Sequence, residues 1–275
     1  MIETRIEGSG TSGPATRGAS AGRPRTRLLS GVGRGLLPFV GLAVILVVWQ
    51  LVTSIFTIPS YQLPTPIAVA RALVDNRATL WGHALYTGSA VLFGLGISTG
   101  AGIVVGGLLS ASRTLSSIVM PILVVSQALP KIAVAPLLIV WLGLGFTNEV
   151  ALAAAMSIFP VIINTAVGLT SVPTELRHLA RSAGGRRIRS FAKINVRHAM
   201  PSIIAGTKVA ATLAVVGAIV GEFVASNSGL GYYLLLKSST AQMAVVFADL
   251  VVLSAVTMFF YFAINLIDAL LRRVP

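Results

Sequence analysis

Six apolar stretches, each of about 20 residues or more, leave this chain little choice of fold. At 1.5 Å of rise per residue, 20 helical residues cover about 30 Å, the thickness of a bilayer's hydrocarbon core. Charged residues make up only 11% of the 275, against about 25% in soluble globular chains. That leaves too little polar surface to hold six such stretches in water. Within lipid every backbone N–H and C=O has to be bonded inside the protein, so only helices or a closed barrel can span. The ten-residue alternation of barrel strands is absent. The expectation is an all-α integral membrane protein with six transmembrane helices.

The stretches fall at about residues 36–56, 84–109, 118–144, 150–169, 202–224 and 244–270, within a membrane domain of residues 34–275. Residues 1–33 are rich in Gly, Ser, Thr and Arg and read as a disordered basic tail. The tail has no apolar core followed by a small-residue cleavage site, so no cleaved signal peptide is expected. A net charge of +13 would point to nucleic acid in a soluble protein, but here the basic residues cluster at span ends and in loops. Six Lys and Arg precede the first span and seven lie in residues 172–201; Arg113, Arg272 and Arg273 fall on the same side. The opposite side holds Arg71, Arg77 and Lys237. This bias places both termini and the basic segment in the cytoplasm of a multi-pass protein of the cell (inner) membrane, with no nucleic-acid partner. With no cysteine and three histidines, disulfides and thiol chemistry are excluded and a metal cage is not expected.

The spans carry local signals of their own. Gly96 with Gly100, and Gly102 with Gly106, place small residues four apart for close helix packing. Pro66 starts a short amphipathic helix running to Trp81 along the outer membrane surface. Pro121, Pro130 and Pro136 remove backbone hydrogen bonds from the third span and kink it. Interrupted helices in membranes are buried in protein or line a water-filled path. Pro130, Lys131 and Pro136 are therefore candidates for lining a pathway, the alternative being a bent packing helix. Pro201 is expected in the first turn of the fifth span. Glu222, near the outer end of that span, either holds structure, paired with Lys237 or another cation, or gates a solute.

Residues 172–201, VPTELRHLARSAGGRRIRSFAKINVRHAMP, are the polar exception between spans four and five. Thr174 is placed as an N-cap, and Glu175 in the first turn suits the helix dipole. Leu176, Leu179, Ala180 and Ala183 share one face, Arg177 and Arg181 another, and Gly184-Gly185 ends the helix. A second helix, from about Arg186 to Val196, presents Ile188, Phe191 and Ala192. Two short surface helices with small residues at their bend admit a partner's groove; the alternative is a basic surface for anionic lipid.

These residues resemble the cytoplasmic EAA loop of ABC importer permeases, whose pattern is E-A-A-x-x-x-G with later prolines. With the family's Gly on Gly184, the E-A-A positions fall on His178, Leu179 and Ala180, and the prolines on Arg197 and Pro201. Ala180, Gly184 and Pro201 agree; His178, Leu179 and Arg197 depart. QLPTP, ALPKIAVAPLLIVWLGLG and GEFVASNSGLGYYL resemble the nitrate/taurine/sulfonate-type branch, and the resemblance covers about residues 36–272. It implies a Type I ABC importer permease fold with a cytoplasmic coupling-helix loop. Glu175, Arg177, His178, Leu179, Ala180, Arg181, Ala183 and Gly184 would then dock a partner ATPase. The implied partners are a cytoplasmic ABC ATPase dimer, an extracytoplasmic solute-binding protein and a second permease copy, a homodimer in this branch. ATP and Mg²⁺ would sit on the partner, because this chain has no GxxxxGK[ST] phosphate loop; it carries no cofactor of its own.

An intramembrane enzyme would need a buried nucleophile and base. The spans show no H-E-x-x-H, no G-x-S-x-G and no paired aspartates, Asp249 and Asp268 lying nineteen apart in one stretch. A stand-alone channel or ion-coupled carrier leaves the elaborate loop unexplained, and the two halves show no inverted repeat. Lys131 and Lys208 suit a sulfonate, nitrate or similar anion, although Lys208 also fits a cytoplasmic anchor. A pyrimidine-like vitamin precursor is the other solute class that the resemblance allows.

Overall fold

The computed structural model describes residues 30–128, 130–172 and 195–271. These residues form α1 (Ser30–Ile55), α2 (Pro66–Asp75), α3 (Arg77–Ala111), α4 (Arg113–Ser126), a 3₁₀ turn (Lys131–Val134), α5 (Ala135–Leu142), α6 (Phe146–Thr170), α7 (Val196–Ala225), α8 (Leu230–Ser239) and α9 (Met243–Leu271). Two compact units divide the chain, residues 1–48 and residues 49–275; the first contributes most of α1. Among the described residues, α3, α6, α7 and α9 are long and apolar enough to cross a membrane, and shorter apolar helices cover Val40–Ile55, Arg113–Ser126 and Ile132–Leu142.

Helix α6 is the centre of the second unit, and α3 runs parallel to it. A Cβ built on Gly94 would meet Ala153, one on Gly102 Val161, and one on Gly106 Thr165, all within 2.5–2.7 Å. Gly94, Ser98, Gly102 and Gly106 recur every fourth residue, as do Ala153, Ser157, Val161 and Thr165 opposite them. The every-fourth ridges of the two helices therefore mesh, and small side chains let the backbones approach. Ser98 and Ser157 are fully buried, and each hydroxyl donates back to its own helix, to the Leu95 and Ala153 carbonyls at 3.0 and 2.6 Å. Of the two glycine pairs expected to pack, Gly102–Gly106 does. Gly96 and Gly100 have nothing within 4 Å of a built Cβ, because two residues along a helix turn the side chain about 200° to the opposite face.

Helix α7 lies antiparallel to α6. Gly168 of α6 abuts Ala199 and Ser202; Gly206, Gly217 and Gly221 of α7 abut Asn164, Ala153 and Glu149 in turn. Ser202 donates to the Asn164 carbonyl at 2.9 Å, a hydrogen bond between helices. Helix α9 is joined to α7 by Lys208 and Asp268. The starts of α3, α8 and α9 meet α2 in one apolar cluster of Val69, Ala72, Leu80, Tyr233 and Ala248. So the first turns of α3, α6 and α9 and the last turn of α7 share one end of the bundle.

Several boundaries differ from expectation, each for a local reason. The amphipathic helix expected from Pro66 to Trp81 divides at Asn76. Thr65 caps α2, accepting from Ala68 N–H at 3.2 Å, with Pro66 in the first turn. At the other end the Asn76 amide donates to the Ala72 carbonyl at 2.9 Å, competing with continuation of the helix. Residues 77–81 therefore open α3, seven residues before the expected start of that span. The third stretch is broken rather than kinked: α4 ends at Ser126, and Pro130 takes non-helical angles (φ −69°, ψ 89°). Pro136 falls in the first turn of α5, where a missing N–H costs nothing. Gly143 and Gly145 then turn the chain with φ of +81° and +102°, a region open to glycine. Asn148 and Glu149, just before the expected start of the fourth span at residue 150, lie in the first turn of α6. Pro201 is interior to α7, because that helix already runs from Val196.

Candidate functional site

A polar junction occupies the end of the bundle where α2 and α8 lie. Glu222 sits in the last turn of α7 and is 1% exposed. Its Oε2 accepts from the backbone N–H of Gly231 at 2.6 Å. The two preceding amides are held from α3: Gly229 N–H donates to His83 Nδ1 at 3.1 Å and Leu230 N–H to Thr87 Oγ1 at 2.8 Å. His83 and Thr87 are four residues apart, so both acceptors lie on one face of α3. Acceptance at Nδ1 requires the histidine proton on Nε2. The expected pairing of Glu222 with Lys237 is not formed. Lys237 donates to Gln242 Oε1 at 3.3 Å and lies 5.3 Å from the centre of the Tyr233 ring.

Two further acids share this end. Glu149 and Asp249 are both 0% exposed; Glu149 Oε1 accepts from the Tyr86 hydroxyl at 3.3 Å, and its Cα and Cγ pack where Gly221 has no side chain. Both oxygens of Asp249, Glu149 Oε2 and Glu222 Oε1 are buried with no hydrogen-bond partner among the described residues. Ionisable groups inside a membrane bundle face its interior, as these do. Among the described residues no three His, Cys, Asp or Glu side chains are placed to hold a metal. Tyr233 closes the junction from α8: its ring stacks on His83 at 4.8 Å and its hydroxyl donates to Asn76 Oδ1 at 3.4 Å. Burial raises its pKa above the ordinary tyrosine value, and the nearby Asp249 carboxylate adds to the rise.

At the opposite end Lys208 Nζ lies 3.0 Å from Asp268 Oδ2, with side chains 21% and 12% exposed. In such surroundings the attraction is strong but offsets a desolvation cost of similar size. Its clear consequence is positional, fixing α7 against α9.

The sequence-derived candidates fall in different places. Pro130 and Pro136 are exposed at the break between α4 and α5, while Glu222 is buried against α3 and α8. The Lys131 side chain lies outside the described residues, as do Glu175, Arg177, His178, Leu179, Ala180, Arg181, Ala183 and Gly184. The tail before residue 30 and Arg272 and Arg273 also lie outside. The sequence pattern did not single out Glu149, His83 or Thr87, and offered Asp249 only as one of two unpaired aspartates. Two signals were present: an acid three residues before apolar Leu152 at the start of a span, and two hydrogen-bond acceptors at i, i+4 on the helix facing it.

Comparison with known proteins adds the family. The family described as binding-protein-dependent transport system inner membrane component matches residues 98–273. The riboflavin transport system permease protein RibX of Chloroflexus aurantiacus is 35% identical over 256 residues, 91% of this chain and 94% of that one. The formylaminopyrimidine transport permease protein ThiX of Halalkalibacterium halodurans is 29% identical over 86% and 95% of the two chains. The aliphatic sulfonates transport permease protein SsuC of Bacillus subtilis is 28% identical over 86% and 83%. A chain of the inward-facing MetNI methionine ABC transporter superposes with a TM-score of 0.63, at 19% identity, over 73% of this chain and 98% of that one. At that identity the likeness concerns the fold.

Proposed function

Since this chain belongs to the binding-protein-dependent transport system inner membrane components, the permeases of ABC importers, we propose that it couples to a separate ATPase through residues 172–201 and passes a heteroaromatic solute. It is a Type I permease of the nitrate/taurine/sulfonate-type branch, a transport subunit rather than an enzyme, and a multi-pass inner membrane protein. The observation that carries the coupling is that a member of an ATP-driven family contains no GxxxxGK[ST] loop, so hydrolysis has to occur on another chain. The excess of basic residues in and beside 172–201 supports a cytoplasmic loop and cytoplasmic termini. The junction of α7 and α8 then faces outward, toward an extracytoplasmic receptor. Two copies of the chain form the pore. ATP-driven closure of the ATPase dimer draws their loops together, and rigid tilting of the spans turns the cavity outward. Ala180 and Gly184 enter the groove of the ATPase, flanked by Arg177, His178 and Arg181.

The charge distribution supports the solute class. Lys208, one of two cations suited to an anion, is engaged by Asp268. Glu149, Glu222 and Asp249 place carboxylates at the receptor-facing end. Buried as they are, these groups do not meet a solute, so the class rests on the engagement of Lys208 and on the similarity to the riboflavin and formylaminopyrimidine permeases, whose neutral rings need no cation. The test is uptake into proteoliposomes holding the chain, its ATPase and its receptor, with riboflavin, formylaminopyrimidine, taurine and nitrate offered separately. ATP-dependent accumulation of a heteroaromatic solute, at least about tenfold above the two anions, is expected. Equilibration without ATP would overturn the importer reading in favour of a channel or carrier; accumulation of taurine or nitrate would overturn the solute assignment alone.

A further inference from the structure

The junction at the start of α8 is more than a helix cap. The first amides of a helix have no acceptor within it. Here three consecutive ones, at Gly229, Leu230 and Gly231, are taken by side chains of two other helices. Gly229 holds φ +100°, and a Cβ there would land on the Glu222 carboxylate; one on Gly231 would come within 2.9 Å of Glu222 Oε2. The chain therefore turns tightly around one buried carboxylate. Behind that carboxylate stands α7, 30 residues in one continuous helix, about 45 Å long. Its first turns are the end of the basic 172–201 segment, and its length is packed against α6 through Gly206, Gly217 and Gly221. One helix, with Pro201 in its second turn, thus joins the end of the basic segment to α8. Glu222 is the hydrogen-bonded contact at which the rod meets α8, beside the Ile219 carbonyl that faces Gly231.

We propose that Glu222 is a positioning residue that delivers movement of α7 to α8 and the receptor-facing surface, and, in reverse, delivers receptor docking to the ATPase. This rests on the reading of the chain as an ATP-driven permease. A residue with a merely structural role would, when replaced, lower all activities together. A residue in this joint changes how strongly one end of the rod answers the other.

The experiment measures ATP hydrolysis by the complete complex in nanodiscs, with and without saturating receptor and solute, and takes the ratio. Glu222→Ala and Gly229→Ala, which attack the joint from its two sides, are expected to lower that ratio at least about fivefold, the lower edge of typical coupling between sites. Glu222→Gln keeps a side-chain oxygen for the Gly231 N–H and is expected to retain the ratio. Thr87→Val, which removes the neighbouring acceptor, is expected to fall between. An unchanged ratio in assembled Gly229→Ala and Thr87→Val complexes would overturn the proposal, even if Glu222→Ala failed to assemble. So would a Glu222→Gln complex as impaired as Glu222→Ala. Failure of the parent reading is distinguishable, because the wild-type chain would then recruit no ATPase and there would be no ratio to compare.

Discussion

Gly217→Leu is expected to remove folded permease from the membrane almost entirely. A Cβ at residue 217 would meet the Leu152 carbonyl oxygen at 2.6 Å, Ala153 Cα at 2.7 Å and Ala153 N at 2.9 Å. All three are backbone atoms, so no side chain can rotate aside, and α6 and α7 would have to separate along their whole shared face. Inserting extra methylenes into a packed core costs about 1–3 kcal/mol even where neighbours can shift, out of a total stability of about 5–15 kcal/mol. Four added carbons against fixed backbone exceed that range. The control is Gly96→Leu, where nothing lies within 4 Å of a built Cβ. Monodisperse protein recovered after detergent extraction should drop at least about tenfold for Gly217→Leu and hold near wild type for Gly96→Leu. Equal recovery of the two variants would refute the α6–α7 packing.

Gly184→Trp is expected to abolish uptake while leaving the amount of inserted protein unchanged. Gly184 falls in sequence between α6 and α7, outside both of those helices. On the proposed reading of residues 172–201 as the docking loop, an indole in place of a hydrogen at position 184 would block entry into a partner's groove. The loss is expected in ATP-dependent transport and in recovery of the ATPase with the permease together. Normal uptake by a Gly184→Trp permease would count against the docking role of residues 174–184.

The helical class and the apolar stretches were legible because hydrophobic length is a local property. The face a helix turns to its neighbour is not. Gly96–Gly100 and Gly102–Gly106 look alike in sequence, yet only the second belongs to the row of Gly94, Ser98, Gly102 and Gly106 that meets α6. A serine within that row hides it from a reading of glycines alone. The prolines of the third stretch signalled an interruption, but whether Pro130 bends a helix or ends it depends on the backbone angles it takes. Glu222 stood out as an acid near a span end. Its role became visible only once α8 folded back and placed Gly229 and Gly231 against the carboxylate, a contact made across seven and nine residues. Glu149 was hidden by the apolar residues around it, and Asp249, read only as an unpaired aspartate, gave no sign of sharing one buried end with Glu149 and Glu222.

The central claim, that this permease works only with a separate motor docked on its loop, is tested most directly by co-purification. The tagged chain is extracted from its host with and without residues 174–197, and ATPase subunits in the eluate are measured. The account predicts an ABC ATPase recovered with the full chain and lost with the deletion, while both membrane proteins stay monodisperse. An intact, folded full-length chain that brings down no ATPase would contradict it, leaving the loop as a lipid-binding surface and the protein as a channel or carrier.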